Sequence, residues 1–151
     1  MERIVIAFGG NALLRSGDKA TYEIQLKRAT DAFDKLTRVI ENNEVVISHG
    51  NGPQVGGILL QNEASKSITP SLPLHACGAM SQGLIGEILL NAFDSIRAQN
   101  GIEKSASVIV TRTLVDRDDQ AFKNPTKPIG PFYKKEEAEE LARINGWKVK
   151  E

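Results

Sequence analysis

The stretch of sequence that decides the fold is residues 44–56, which read EVVISHGNGPQVG. Residues 44–48 form a short, mainly apolar run of the kind found in parallel strands that are buried on both faces. Residues 49–53 follow with glycine and proline, which end the strand in a turn. A buried strand that runs into a glycine-rich turn is therefore the first unit of the predicted fold.

The same unit occurs upstream, where residues 3–12 read RIVIAFGGNA. Between the two units, residues 21–42 carry apolar side chains in steps of three and four, which trace one face of a helix. These side chains are Leu26, Ala29, Phe33, Leu36 and Ile40. The order strand, helix, strand predicts an α/β protein with a parallel sheet and a right-handed crossover.

The rest of the chain continues this alternation and then stops early. The predicted elements are a helix over 55–63, a loop over 65–73, a helix over 74–100 that ends before Gly101, a third strand over 106–114, a turn-rich segment over 116–131, a charged helix over 134–145 and the start of a strand over 147–151. Three strands are few for a doubly wound domain, so the sequence looks truncated.

The helix predicted over 74–100 contains Gly78, Gly83 and Gly86. Each glycine costs up to about 1 kcal/mol relative to alanine inside a helix. We therefore expect a close backbone approach to a strand or to a neighbouring subunit at these positions. A shortened sheet with an open edge also predicts self-association, as a homodimer that uses this helix.

Composition excludes several classes of function. The chain has 19 Lys plus Arg and 19 Asp plus Glu, so it lacks the basic excess of a nucleic-acid-binding protein. No apolar run approaches the ~18 residues of a membrane span, and the N-terminus does not have the pattern of a signal peptide. Cys77 is the single cysteine, which excludes an intrachain disulfide and fits a cytoplasmic location.

The two glycine-rich turns are the strongest candidates for a binding site. Both follow predicted parallel strands, so they should lie near each other at the carboxyl edge of the sheet, where ligands bind in this class of fold. Exposed backbone N–H groups in such turns, together with a helix N-terminus, can hold an anion or a phosphoryl group. The amides of Asn11 and Asn51 can add donors. Two tight turns without a ligand are the alternative, which the residues alone leave open.

Other candidate residues have a structural interpretation beside the functional one. His49 could bind an anion or pack in its loop, and Cys77 is a small buried residue rather than a nucleophile because no partner base is evident. Lys127 lies between Pro125 and Pro128, which could preset its ammonium for phosphoryl transfer, or it is an ordinary surface lysine. Neither turn matches the Walker A or the dinucleotide-binding pattern, and no zinc-ligand spacing is present.

At these residues the chain resembles the carbamate kinases, which have the amino-acid-kinase fold. The resemblance implies a parallel-sheet, three-layer α/β/α sandwich, with an acceptor-binding core over 1–113, a protruding lid over 114–146 and the start of a further strand over 147–151. The matching segments, in chain order, are residues 7–12, 48–56, 59–61, 73–74, 80–83 and 121–132, the last reading AFKNPTKPIGPF.

The resemblance implies direct, in-line phosphoryl transfer between ATP and carbamate, a reaction of arginine metabolism often run from carbamoyl phosphate toward ATP synthesis. Backbone and amide N–H groups of both turns would line the acceptor and phosphoryl site, and a lysine on the lid would reach the phosphoryl group. By this resemblance the substrate-binding residues are Gly9, Gly10, Asn11, Gly50, Asn51 and Gly52, and the catalytic residues are Gly10, Asn11 and Lys127.

One departure from the family is large. Its members are much longer and use a carboxy-terminal half for ATP or ADP and for the carboxylate that binds Mg²⁺. We therefore expect neither cofactor to bind well to this chain alone, and we expect the chain alone to be inactive. The alternatives are a catalytically silent fragment that binds anions or self-associates, and a kinase of the same fold for another carboxylate, against which residues 125–131 argue.

Overall fold

The fold consists of two parallel strands with helices packed beside them. The computed structural model describes residues 1–15, 17–127, 129, 133–146 and 149. No helix within this described part is both long and apolar enough to cross a membrane. The elements are β1 (Arg3–Phe8), α1 (Gly10–Leu13), α2 (Tyr22–Asn42), β2 (Glu44–His49), α3 (Gly52–Ser65), α4 (Leu74–Asn100), a 3₁₀ turn (Gln120–Phe122) and α5 (Lys135–Asn145).

The sheet confirms the predicted parallel pairing. Strand β1 pairs with β2 in a register that runs from Arg3 opposite Glu44 to Phe8 opposite His49. Helix α2 connects the two strands, as a parallel pair requires a crossover of a dozen or more residues. The α/β class that the alternation of elements predicts is therefore present.

The core lies between the sheet and the helices α2 and α4. Phe33 of α2 is buried, and its ring centroid lies 5.6 Å from that of Phe8 at the end of β1. Ile85 and Ile88 of α4 are also buried and belong to the same cluster, against which Ile6 of β1 packs. The apolar face predicted for α2 is confirmed as the face that packs in the core, because Ala29, Phe33 and Ile40 are the buried apolar residues of this helix.

The opposite face of the sheet corrects one expectation. The strands were predicted to be buried on both faces, but Val5 and Val46 are 69% and 51% exposed. The two valines are cross-strand partners. Within the described residues the helices α2 and α4 cover the other face, so this apolar pair stays open to solvent.

The strand predicted over 106–114 is a second correction, because these residues form no strand. A strand needs a neighbouring strand to pair its backbone groups. Here a side chain of α4 takes that place: Thr111 N–H donates to Gln82 Oε1 at 2.8 Å, and Gln82 Nε2 donates to the Thr111 carbonyl oxygen at 3.2 Å. The segment is therefore held to α4 rather than to a sheet.

Gly86 explains how closely this segment approaches α4. A Cβ atom at position 86 would lie 2.5 Å from Val108 Cγ1, too close for two carbon atoms. Close packing is therefore present at Gly86, but its partner is the Val108 side chain of a segment that forms no strand, rather than the predicted strand or subunit. A Cβ atom at Gly78 or Gly83 would have nothing within 4 Å in the described structure, so a contact of these two with another subunit stays a prediction.

The helix ends follow their sequence signals. Thr21 caps α2, with its hydroxyl accepting a hydrogen bond from Ile24 N–H at 3.4 Å. Gly101 and Gly146 end α4 and α5 in the left-handed conformation, with φ of 66° and 68°. Helix α4 has the predicted bounds, whereas the further strand predicted over 147–151 lies, apart from Val149, outside the described residues.

Lys104, which lies outside α2 in the chain, caps the C-terminal end of this helix. Its ammonium donates to the carbonyl oxygens of Ile40, at 2.6 Å, and Asn43, at 2.7 Å. A cation at this end of a helix also complements the helix dipole.

We expect Lys104→Met to lower the free energy of unfolding by about 1 kcal/mol, measured by urea denaturation. Lys123→Met, a matched change at an exposed lysine, should stay within about 0.5 kcal/mol, and equal effects would refute the capping role.

Candidate anion-binding site at two glycine turns

The two glycine turns lie side by side at the carboxyl edge of the sheet. Phe8 and His49 are register partners, and Gly9 and Gly50 directly follow them. Gly50 N–H donates to the Phe8 carbonyl oxygen at 3.4 Å, which extends the pairing one residue into the second turn. The predicted proximity of the turns is therefore confirmed.

The first turn forms a single helical turn rather than an open loop. Helix α1 begins at Gly10, and Ala12 N–H donates to the Gly9 carbonyl oxygen at 2.9 Å. Leu13 is buried in the core and anchors the end of this turn. The backbone of Gly10 and Asn11 thus lies in α1, while the predicted contribution of the Asn11 amide falls outside the described side chains.

The second turn merges directly into α3. The helix begins at Gly52, three residues before the predicted start, because proline is well tolerated in a first helical turn. The first helical hydrogen bond runs from Val55 N–H to the Asn51 carbonyl oxygen at 2.9 Å. Pro53 has no N–H, so the backbone donors of Gly52 and Gln54 have no partner within the helix. Together with the helix dipole, these donors favour an anion at this point.

The Asn51 side chain is fixed by a residue of α4. Its Nδ2 donates to Ser81 Oγ at 2.8 Å, and Ser81 Oγ donates to the Gly78 carbonyl oxygen at 2.6 Å. Ser81 is 0% exposed. The sequence assigned no role to Ser81 beyond its place in the matching segment 80–83, and that match was the one signal that could have drawn attention to it.

A buried pair of glutamines fixes the start of α3 from the other side. Gln54 Nε2 donates to Gln25 Oε1 at 2.8 Å, and both side chains are buried. Gln25 Nε2 in turn donates to the carbonyl oxygens of Ala20 and Thr21, at 3.3 and 3.2 Å. The first turn of α3 is thereby tied to the first turn of α2. Sequence reasoning missed this pair, because a glutamine beside an apolar helical face gives no distinct signal.

His49 and Cys77 make contacts that fit the structural interpretation given for each of them. His49 Nδ1 lies 3.0 Å from the Gly50 carbonyl oxygen, which can only accept, so Nδ1 carries the proton. Cys77 is buried, and its Sγ lies 3.6 Å from the Leu72 carbonyl oxygen. Neither residue is placed as a nucleophile or a base by these contacts.

Lys127 is exposed and makes no hydrogen bond or ion pair with any residue that the structure describes. The neighbouring residues 128 and 130–132 of the same matching segment lie outside the described ranges. An approach of the Lys127 ammonium to the two turns therefore stays a prediction.

An ion pair orders the connection between α1 and α2. Asp18 accepts two hydrogen bonds from the Arg28 guanidinium, each at 2.9 Å, and a third from the Arg15 backbone N–H at 2.9 Å. The hydrogen bonds from Arg28, and then the one from Arg15, lower the pKa of the Asp18 carboxyl to about 2. The carboxylate is therefore charged at any pH at which the site would work.

This ion pair predicts a defined loss of stability in acid. Because the pKa of Asp18 is lowered on folding, its contribution to stability is complete above the ordinary value of 3.8 and is lost as the pH falls toward about 2. We expect Asp18→Asn to flatten the pH dependence of the urea midpoint between pH 4 and about 2. Arg28→Gln should flatten the same window, since it removes the main cause of the shift. An unchanged slope in both variants would contradict the assignment.

The described residues hold no cluster of three or more His, Cys, Asp or Glu side chains that could bind a metal ion. No residue in this part of the chain is therefore assigned to the Mg²⁺ that the resemblance implies.

Comparison with known proteins agrees with the residues that carry the resemblance. The sequence pattern of the amino acid kinase family matches residues 2–139. A carbamate kinase of Thermoplasma acidophilum is 52% identical over 150 residues, which are 99% of this chain and 48% of that protein. A carbamate kinase of Trichomonas vaginalis is 48% identical over 151 residues, again 99% of this chain and 48% of the relative.

Solved structures show the same relationship. Carbamate kinase from Giardia lamblia bound to citric acid matches with a TM-score of 0.87 and 46% identity, over 97% of this chain and 48% of that one. A protein from Aeropyrum pernix matches with a TM-score of 0.83 and 38% identity, over 99% of this chain and 48% of that one. The chain thus spans about half the length of the relatives it matches. Because the family pattern covers most of its length and its fold superimposes on solved carbamate kinases, the chain belongs to the amino acid kinase family.

Proposed function

We propose that this chain is the acceptor-binding half of a carbamate kinase, and that its two glycine turns hold carbamate or the carbamoyl phosphate formed from it. The observation that carries the proposal is the junction of the two turns with the start of α3. There the backbone N–H groups of Gly52 and Gln54 are left without partners in the helix, beside the end of β1.

The roles of the residues follow from the charge of the ligand. The acceptor is an anion, and transfer of the phosphoryl group makes it a dianion, so N–H donors and cations that converge on it stabilise both ground and transition states. In this proposal Gly9, Gly10 and Asn11 bind from the first turn. Gly50, Asn51 and Gly52 bind from the second turn. Lys127 reaches the transferred phosphoryl group from the lid.

We assign the nucleotide to a part of the protein that corresponds to the unmatched half of the relatives. Carbamate kinase from Giardia lamblia has been solved bound to AMP-PNP, and this chain covers 47% of that protein. ATP would supply the phosphoryl group and Mg²⁺ would neutralise its charge. We therefore propose that residues 1–151 bind the acceptor but do not turn over at an ordinary kinase rate, on the order of 1 per second, when assayed alone.

A charge placed at the start of α3 tests the site. A Cβ atom at Gly52 would meet open space, and an acidic residue in a first helical turn is stabilising, so Gly52→Asp should fold normally. Its carboxylate should weaken the binding of inorganic phosphate at least about tenfold, because like charges repel at short range. Gly52→Asn is the neutral control of the same shape and should bind within a few-fold of the parent.

Nuclear magnetic resonance titration with inorganic phosphate provides the readout. The backbone amide signals of Gly52 and Gln54 should shift in the parent and in Gly52→Asn, and their shifts should be lost in Gly52→Asp. The proposal fails if phosphate shifts neither signal, or if Gly52→Asp binds as well as its neutral control.

Exposed apolar side chains favour a second property, self-association. Met80 and Leu84 lie exposed on α4, and Val5 and Val46 are exposed on the sheet. We propose a homodimer in the cytoplasm, and light scattering across a range of concentrations distinguishes it from a monomer.

Two alternative functions predict different results. An anion-binding fragment without catalytic function would bind phosphate and remain inactive even when joined to a nucleotide-binding half. A kinase for another carboxylate would phosphorylate that acceptor in preference to carbamate.

A further inference from the structure

We infer that Ser81 sets the orientation of the Asn51 amide, so that Asn51 Oδ1 accepts a hydrogen bond from the amino group of the acceptor. This inference rests on the proposed function and deepens it. The glycine turns explain how an anion is held, whereas Asn51 and Ser81 explain how an acceptor that carries nitrogen is distinguished from one that carries a methyl group.

The orientation follows from counting hydrogen atoms. The Ser81 hydroxyl has one hydrogen, and the Gly78 carbonyl oxygen, 2.6 Å away, can only accept it. Ser81 Oγ must therefore accept from the atom of Asn51 that lies 2.8 Å from it, and that atom must be Nδ2. Because Ser81 is fully buried on α4, it has no solvent partner that would relax this constraint.

The fixed nitrogen leaves Oδ1 on the other side of the amide. Asn51 is the N-cap residue of α3, but its side chain makes no capping hydrogen bond, so no N–H group of the helix occupies Oδ1. No described residue donates to Oδ1, and no buried side-chain N or O atom of the described residues lacks a partner, which fits an Oδ1 that is open to a ligand. The second turn therefore presents backbone donors at Gly52 and Gln54 next to a side-chain acceptor at Asn51.

This combination matches the carbamoyl group. Carbamate and carbamoyl phosphate carry an anionic group and an NH₂ group on the same carbon. Acetate and acetyl phosphate have a methyl group in place of the NH₂ group, and bound here they would leave Oδ1 without a donor. An unpaired polar atom costs about 1–3 kcal/mol, which is equivalent to a factor of about 5 to 150 in affinity.

Two stable ligands of nearly equal shape test the inference on the 151-residue protein. Phosphonoacetamide carries the NH₂ group, and 2-oxopropylphosphonate carries a methyl group in its place. We expect the parent to bind phosphonoacetamide roughly tenfold more tightly. Ser81→Ala should reduce this preference to about one, because the Asn51 amide can then turn. Ser95→Ala, a serine of the same helix away from the turns, should keep the tenfold preference.

The ratio of the two affinities separates a positioning role of Ser81 from a structural one, because partial unfolding would weaken the binding of both ligands by the same factor. Equal binding of both ligands to the parent overturns the inference and leaves the anion site intact. A preference that survives in Ser81→Ala overturns the role of Ser81. If neither ligand binds, the proposed function fails and the inference fails with it.

Discussion

Replacement of Lys127 by alanine is expected to lower kcat by roughly 100-fold while leaving the melting temperature unchanged. The measurement needs a nucleotide-binding half, which a chimera can supply by continuing residues 1–151 with the unmatched part of the Thermoplasma acidophilum carbamate kinase, 52% identical over the matched part. Lys127 is exposed, so its loss should change the free energy of unfolding by no more than about 0.5 kcal/mol. Its proposed role is to meet charge that develops on the phosphoryl group, which is where a positioned cation contributes most.

Two further variants distinguish this role from a general effect of charge. Lys127→Arg should recover only part of the rate, because a planar guanidinium does not occupy the position of a compact ammonium. Lys123→Ala removes an exposed lysine four residues away and should leave kcat unchanged. An unchanged kcat in Lys127→Ala would make Lys127 an ordinary surface lysine, and a large fall in melting temperature would make the lid structural.

Elements whose signals are local could be predicted from the sequence. The apolar runs of β1 and β2, the apolar face of α2 and the length of α4 depend on the order of neighbouring residues alone. Gly101 could be placed at the end of α4 because few other residues adopt its positive φ. The proximity of the two glycine turns followed as well, since parallel strands joined by a crossover bring their carboxyl ends to the same edge.

Elements that depend on distant partners could not be predicted. Residues 106–114 have the composition of a strand, but the strand needs a neighbour, and Gln82 of α4 binds Thr111 instead. Likewise the apolar runs that contain Val5 and Val46 are typical of strands that are covered on both faces. Within the described residues, however, both valines are exposed, and no helix covers their face of the sheet. Local sequence indicates which secondary structure a segment favours, but the tertiary fold determines which other segment it contacts.

The polar contacts around the candidate site were hidden for the same reason. Asn51 and Ser81 are 30 residues apart, and Gln25 and Gln54 are 29 apart. No periodicity connects such pairs, and a buried serine in a helix looks like any other small residue. The glycine turns could be recognised because glycine directly after an apolar run indicates a turn at the end of a strand. The side chains that position these turns come from other helices, and only the packing of those helices shows which residues they are.

Gly86→Ala is expected to destabilise the chain by roughly 2 kcal/mol, although alanine favours a helix more than glycine does. The added Cβ would lie 2.5 and 2.7 Å from the two methyl carbons of Val108, so either α4 or the segment over 106–114 must move. Gly83→Ala adds the same methyl group to the same helix, where it would meet nothing within 4 Å. That variant should gain up to about 1 kcal/mol from helix propensity, so the two changes should have opposite signs.

A double variant shows whether the contact with Val108 is the cause. Val108→Ala removes the two methyl carbons that would clash, leaving the Val108 Cβ at 3.2 Å from the new atom, a separation that a small shift can absorb. Urea unfolding of the two single variants and of the pair gives their interaction energy, and most of the loss in Gly86→Ala should be recovered in the pair. If the losses simply add, the helix tolerates the methyl group in another way and the segment over 106–114 does not depend on Gly86. Recovery would instead show that this glycine is retained so that the chain after α4 can lie directly on the helix, next to the Gln82 side chain that binds its backbone.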